Sequence, residues 1–340
     1  MDFKVVYLKF GVYLTGPFGQ SPQLYVARNA VKRERASQDV VDEQILIDTT
    51  TIVDKQVKDG FAYVIDPMFK FFYLFQPITQ RVRGFSEGPQ ENYFDNNVFY
   101  VRPQINGAID INAIGFTEDY IHVDLLPNER KIVVLPSPFT LMMLSTFNGV
   151  NGYEMPLASK KSAVVDLTQL IRKEAQHLAM RGFARIQYDE PAIVYKQYLG
   201  SQESETREDL ELLRLAMQCC GKIDGATTML HTYFGSAGSI LPQLLDLEVD
   251  GLGIDGIETT LDDVMRHSFS EKELAIGLLD ARSTAPENPQ KIIQKLSRIL
   301  DATSPKALWL TPNTGTEYRG WSNGFKKMRI MKEVNEALGK

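Results

Sequence analysis

Four apolar, β-prone runs in this chain end on residues that can do chemistry. Ala184 to Tyr188 leads into Asp189-Glu190-Pro191, and Ala226 to Leu230 into His231-Thr232-Tyr233. Gly251 to Ile254 leads into Asp255, and Leu274 to Leu279 into Asp280-Ala281-Arg282. A carboxylate at a strand end can hold an amine, act as a base or bind a metal. A histidine can shuttle a proton or ligate, and an arginine can grip a carboxylate with two parallel hydrogen bonds. Each has a plainer reading. Asp189 could cap a loop, His231 could be a satisfied core side chain, and Arg282 could pair internally with Asp280 or Asp255.

Helix-like spacing follows each run, so the residues should meet. In a (β/α)8 barrel the C-terminal ends of parallel strands converge on one mouth, where active sites are built. Eight strand candidates can be counted: Val5–Thr15, Phe61–Ile65, Ile132–Leu135, Ala184–Tyr188, Ala226–Leu230, Gly251–Ile254, Leu274–Leu279 and Ala307–Leu310. Helical apolar spacing fills Asp39 to Lys58, Arg207 to Met217, Ser239 to Leu247, Pro289 to Leu300 and Phe325 to Leu338. The expected fold is α/β, a single (β/α)8 TIM barrel spanning 1–340. Phe99 to Val123 breaks the alternation. With Asn106-Gly107 as its turn, it reads as an inserted β-hairpin between the second and third units, beside the mouth.

Bulk properties narrow the function. A net charge of −6 gives no reason to expect nucleic acid, and the mixed run Lys32-Arg33-Glu34-Arg35 reads as a solvated helix start. Cys219 and Cys220 are the only cysteines. They cannot build a disulfide framework or a thiolate-rich zinc site. No apolar run reaches the ~18 residues of a membrane span, and Met1 to Phe10 alternates rather than forming a signal peptide. The expectation is a cytoplasmic protein. Phe69, Phe71, Phe72, Tyr73 and Phe75 could stack a planar ring, or simply pack. Lys326, Lys327 and Arg329 could attract a polyanion, or form a solvated helix face.

The order of several segments resembles the cobalamin-independent methionine synthase family. These are Thr15-Gly16-Pro17-Phe18, Tyr93-Phe94-Asp95-Asn96-Asn97-Val98-Phe99-Tyr100, Pro136-Ser137-Pro138-Phe139-Thr140, Ile186 to Ala192, His231 to Ser236 and Thr311-Pro312-Asn313-Thr314-Gly315. Members carry two similar barrels. The C-terminal one holds a zinc ion that activates homocysteine, and the N-terminal one is a degenerate copy that helps bind methyl-folate. The wording here is closer to the N-terminal barrel, in the standalone form some archaea are thought to carry. The resemblance places the family's zinc histidine at His231 and its ligand glutamate at Asp255. Its thiolates fall at Tyr233 and Thr314, so the zinc site is degenerate. The amine-holding glutamate falls near Pro67, its partner at Asp189, and the catalytic histidine at Arg282.

The resemblance therefore implies a methyltransferase-family barrel in methionine biosynthesis. It would bind a methyl-tetrahydrofolate or related pterin and work with a zinc-bearing C-terminal-type barrel. The expected catalytic residues are Asp189, His231, Asp255 and Arg282. The expected substrate-binding residues are Gly16, Asp66, Glu190, Tyr233 and Asn313. No metal is assigned, His231 and Asp255 being the only candidates. Two alternatives stay open: a self-contained methyltransferase with an altered site for a corrinoid or other donor, and a non-catalytic binding barrel.

Overall fold

The structure is a computed structural model that describes residues 9–94, 98–147, 157–198 and 203–339. The strands are β1 (Lys9–Val12), β2 (Val64–Ile65), β3 (Phe85–Asn92), β4 (Phe99–Ile105), β5 (Lys131–Pro136), β6 (Thr146–Phe147), β7 (Phe183–Asp189), β8 (Thr227–Thr232), β9 (Gly251–Asp255), β10 (Glu273–Leu279) and β11 (Ala307–Pro312). Eight form one parallel sheet in the order β1-β11-β10-β9-β8-β7-β5-β2. That is the order of an eight-stranded barrel cut between its first and second strands. The cut is bridged where Ala62 N–H donates to Val12 O at 2.9 Å. All eight expected strands are present. The first is described only from Lys9 onward, and the second shrinks to two residues.

The sheet is covered on both faces, so its strands are apolar runs rather than alternating ones. Every residue of β5, β9 and β11 is buried. The helices supply the outer layer with one apolar stripe each. Pro289–Thr303 buries Ile292, Leu296, Ile299 and Thr303, spaced three or four apart. Its start is fixed by Asn288, whose side chain accepts from Gln290 and Lys291 N–H, with proline at the first turn. Among the described helices longer than ten residues, two carry no sequence signal singled out above, Pro22–Lys32 and Leu157–Met180. The run Lys32-Arg33-Glu34-Arg35 falls at the end of the former, not at a helix start. Among the described residues no helix is long and apolar enough to cross a membrane.

Arg185 plugs the barrel near the N-terminal end of β7. Its guanidinium lies 4.1 Å from the Tyr63 ring centroid, 4.9 Å from Trp309 and 5.2 Å from Tyr13. It pairs with Glu273, which also accepts from Trp309 Nε1 at 2.7 Å. Full desolvation of a cation is tolerable here because three ring faces and a carboxylate surround it.

An antiparallel pair does lie between the second and third sheet strands, but its position differs from expectation. It joins β3 to β4, and β6 adds to β4 in parallel. Asn106-Gly107 is not its turn. Asn106 N–H instead closes the open end of the pair on Gly84 O at 3.0 Å. At the other end Tyr93 N–H bonds Val98 O at 2.7 Å, and Phe94 lies in the left-handed region. Residues 95–97 of the Tyr93–Tyr100 motif lie outside the described residues. Between Ile109 and Leu126 the buried apolar side chains, Ile109, Phe116, Tyr120, Ile121 and Leu126, come from loops and two short 3₁₀ turns, not from a second strand, and Ile114 is exposed.

Candidate functional site

Parallel register brings the polar strand ends together as expected. Asp189 stands beside His231, and His231 beside Gly253. Asp189 is the hub. Its Oδ1 accepts from Gln187 Nε2 at 2.8 Å, and its Oδ2 accepts from Tyr233 Oη at 3.1 Å. The Tyr233 and Tyr93 hydroxyls are 2.9 Å apart, which extends the chain to the hairpin. Burial, with the Asp189 charge behind it, pushes both phenols well above their ordinary range. They remain protonated donors at neutral pH.

His231 is 1% exposed. Its ring fits because the facing position on β9 is Gly253, where a Cβ would lie 2.5 Å from His231 Cδ2. Nδ1 sits 3.1 Å from Gln187 Nε2 and 3.7 Å from Asp189 Oδ1, while the buried Nε2 has no hydrogen-bond partner.

The other expected residues are committed to holding loops. Asp255 accepts from Ile257 N–H (2.9 Å), Glu258 N–H (3.2 Å), Phe234 N–H (3.3 Å) and Asn313 Nδ2 (3.2 Å). Burial still raises its carboxyl to about 6. Glu190 accepts from Thr140 Oγ1 (2.8 Å), Ile193 N–H (3.0 Å), Thr140 N–H (3.2 Å) and the Ser137 hydroxyl. Burial raises it to about 7. Asp66 accepts from Met68 N–H at 2.7 Å and His122 N–H at 2.8 Å. Asn313 Oδ1 accepts from Ala281 N–H at 3.0 Å. Gly16 lies against Gly315, where Thr316 N–H reaches Pro17 O at 2.7 Å and ties the first and last loops. Arg282 pairs with Glu258 and lies 3.7 Å from Asp280, with its guanidinium 5.7 Å from the Phe234 centroid. The plain reading of Arg282, an internal ion pair, is what the geometry supports.

These residues do not fit a zinc ion of the thiolate-rich kind. The oxygens of Asp255 are saturated, and His231 Nδ1 faces an amide nitrogen. The two thiolate positions hold the phenol of Tyr233 and the hydroxyl of Thr314. Cys219 and Cys220 end the helix Glu203–Cys220, the first exposed and the second buried. Burial raises the Cys220 thiol far above its ordinary range. Among the described residues, no three His, Cys, Asp or Glu side chains form a metal-binding group.

A cavity of about 660 Å³ opens beside this network, and loops build its walls. Of the expected residues only Asp189 and Tyr233 line it. The aromatic stretch after β2 contributes Phe69, Phe71, Phe72 and Tyr73. Phe75 instead packs on Tyr100 at 5.7 Å. Phe18, Tyr93, Tyr318 and Trp321 add further ring faces. Arg28 also lines the cavity, its guanidinium 4.8 Å from the Phe72 centroid. Glu317 lines the cavity too, and sequence reasoning missed it. Burial first and the Asp189 charge second raise its carboxyl to about 8. Its only sequence signal was its place in the loop after the eighth barrel strand. Lys327 is buried in an ion pair with Glu287 at 2.6 Å, so it belongs neither to a polyanion-attracting run nor to a solvated helix face.

Residues 83–304 match the N-terminal domain of cobalamin-independent synthases. A methionine synthase of Sulfurisphaera tokodaii is 22% identical over 268 residues, which are 78% of this chain and 72% of that one. The 5-methyltetrahydropteroyltriglutamate–homocysteine methyltransferase of Streptococcus pneumoniae is 27% identical over 217 residues, 62% of this chain but 27% of that longer protein. Among solved structures, a putative vitamin-B12-independent methionine synthase from Listeria monocytogenes superposes with a TM-score of 0.73 at 17% identity, covering 98% of this chain and 99% of that one. A B12-independent methionine synthase from Shewanella sp., in complex with selenomethionine, gives 0.72 at 14% identity over 97% of both chains.

Proposed function

This chain belongs to the cobalamin-independent methionine synthase family, and we propose that within it the chain is the methyl-donor-binding barrel, working with a separate zinc-bearing catalytic barrel. The donor is of the methyl-tetrahydrofolate or related pterin class. The observation that carries the reading is the contrast between two halves of the strand-end region. The half where the family places a metal is closed by internal hydrogen bonds, with Asp255 saturated and both thiolate positions lost. The half beside Asp189 is an open cavity walled by aromatic rings, suited to a planar ligand. In this division of labour the partner activates the thiol. This chain's residues bind and orient the donor: rings clamp its faces, and Asp189 and the tyrosine hydroxyls meet its polar edge.

The reading of a self-contained enzyme with a new site needs Asp255 and Arg282 free to act, and both are taken up. The test is direct. The purified chain, homocysteine and 5-methyl-tetrahydrofolate, assayed by mass spectrometry, should give no methionine until a zinc-bearing barrel of the family is added. Methionine made by the chain alone, with stoichiometric zinc, would overturn the proposal.

A further inference from the structure

We propose that Glu317 is the specificity-determining side chain of the cavity, recognising the paired N–H edge of a 2-amino-4-oxo heterocycle. The inference rests on the reading of the cavity as a site for a pterin-class donor and names the residue that selects the ring.

Two acids line the cavity, and they differ in what they lack. Asp189 already accepts from Gln187 Nε2 and Tyr233 Oη. Glu317 Oε2 is buried and has no hydrogen-bond partner. It lies over Gly315, where a Cβ would come within 2.2 Å of that oxygen, so the absence of a side chain there is what gives the carboxyl room. A buried acceptor without a donor is costly, and a ligand that brings the donor removes the cost. The walls say what shape brings it. Trp321 faces Phe69 with centroids 6.2 Å apart and planes inclined by 33°, and Phe18 meets Trp321 edge-on at 5.7 Å. All three line the cavity beside Glu317. Such surfaces take flat rings.

The charges facing Glu317 fix which edge of the ring it takes. Asp189 repels a second negative charge, and Tyr93, Tyr233 and Tyr318 stay protonated. Arg319 spends its Nε on Arg282 O, and Arg28 donates to Phe69 O. The backbone N–H of Glu317 itself and the Tyr318 hydroxyl offset burial only in part, and Oε2 is still left without a donor. A ring offering two adjacent N–H groups supplies both carboxylate oxygens, favours the ionised form and drives the proton of Glu317 into solvent.

The experiment uses the whole chain and two ring probes, 6-methylpterin and 6-methyllumazine. They differ in carrying an amino or an oxo group beside the ring N–H. Binding is measured by calorimetry at pH 7 in buffers of different ionisation enthalpy, with Trp321 fluorescence as a second signal. The pterin should bind at least about tenfold more tightly than the lumazine and release protons on binding. Glu317→Gln, which keeps the shape, should cut the preference to about twofold or less and abolish proton release. Glu317→Asp, one carbon shorter, should lose most of the preference. A preference unchanged in Glu317→Gln, or equal binding of both rings by the unaltered chain, overturns the role of Glu317 but leaves the donor class standing. If neither ring binds the folded chain, the donor class fails together with the inference.

Discussion

Replacing Glu190 by Gln should make the barrel's stability less sensitive to pH, and the size of the effect follows from the structure. Glu190 is fully buried, and burial raises its carboxyl from the ordinary 4.5 to about 7 against the pull of its four donors. At about 1.4 kcal/mol for each tenfold change in proton affinity, ionising it in the folded state costs roughly 3 kcal/mol. The folded state binds this proton more tightly than the unfolded one. The stabilisation is thus complete below about pH 4.5 and is lost as pH rises through about 7. An amide does not titrate. It does place an NH₂ against a donor, most directly Thr140 N–H, at a cost of about 1–3 kcal/mol that does not vary with pH. The quantity to follow is the unfolding free energy of Glu190→Gln minus that of the unaltered chain. Asp255, Glu317 and every other titrating group cancel from that difference. It should start negative near pH 5 and climb by about 2–3 kcal/mol toward pH 8.5. Urea unfolding at five pH values, read by circular dichroism and tryptophan fluorescence, measures it. A flat difference would refute the reasoning. It would mean that the hydroxyls of Ser137 and Thr140 and the two backbone N–H groups fully compensate desolvation and keep the carboxylate ionised.

Two further perturbations test what holds the mouth and the floor of the barrel. Arg185→Ala should cost about 3–5 kcal/mol by leaving Glu273 unpaired beneath three rings. Arg185→Lys should recover only part of it, because an ammonium cannot stack as a plane. Thermal melts decide, and full recovery by lysine would reject the stacking argument. Gly253→Ala should cost about 1–3 kcal/mol, since the new methyl would lie 2.5 Å from His231 Cδ2. The His231 ring signals in NMR should shift with it, and an unperturbed ring would show that Gly253 is not what seats the histidine.

The barrel was legible in the sequence because a strand buried on both faces is an uninterrupted apolar run, and the polar residue that stops the run marks the mouth. Asp189 and His231 sit side by side for that reason, and Asp255, on the next strand, accepts from Phe234 N–H in the loop after His231. What they do there was not legible. A carboxylate at a strand end looks the same in sequence whether it faces a ligand or gathers the N–H groups of the next turn. Asp255 and Glu190 turned out to be the second kind, and nothing in their spacing distinguishes them from Asp189. The distinction lies in the neighbours: Ile257, Glu258 and Ile193 offer backbone donors within three residues, whereas the donors to Asp189 are the side chains of Gln187 and Tyr233. The cavity was harder still to foresee. Its walls come from loops that have no period, and they are brought together by contacts far apart in sequence, such as Tyr93 to Tyr233 and Phe69 to Trp321. Asn106-Gly107 misled for a related reason. The dipeptide marks a place where the backbone can turn, but β4 ends at Ile105 paired with Phe85, and burial of Tyr93, Tyr100 and Ile105 favours the pairing of β3 with β4 over one with the segment that follows. Glu317 shows the limit most clearly. Its chemistry depends on an oxygen left without a donor, and a missing partner leaves no trace in a sequence.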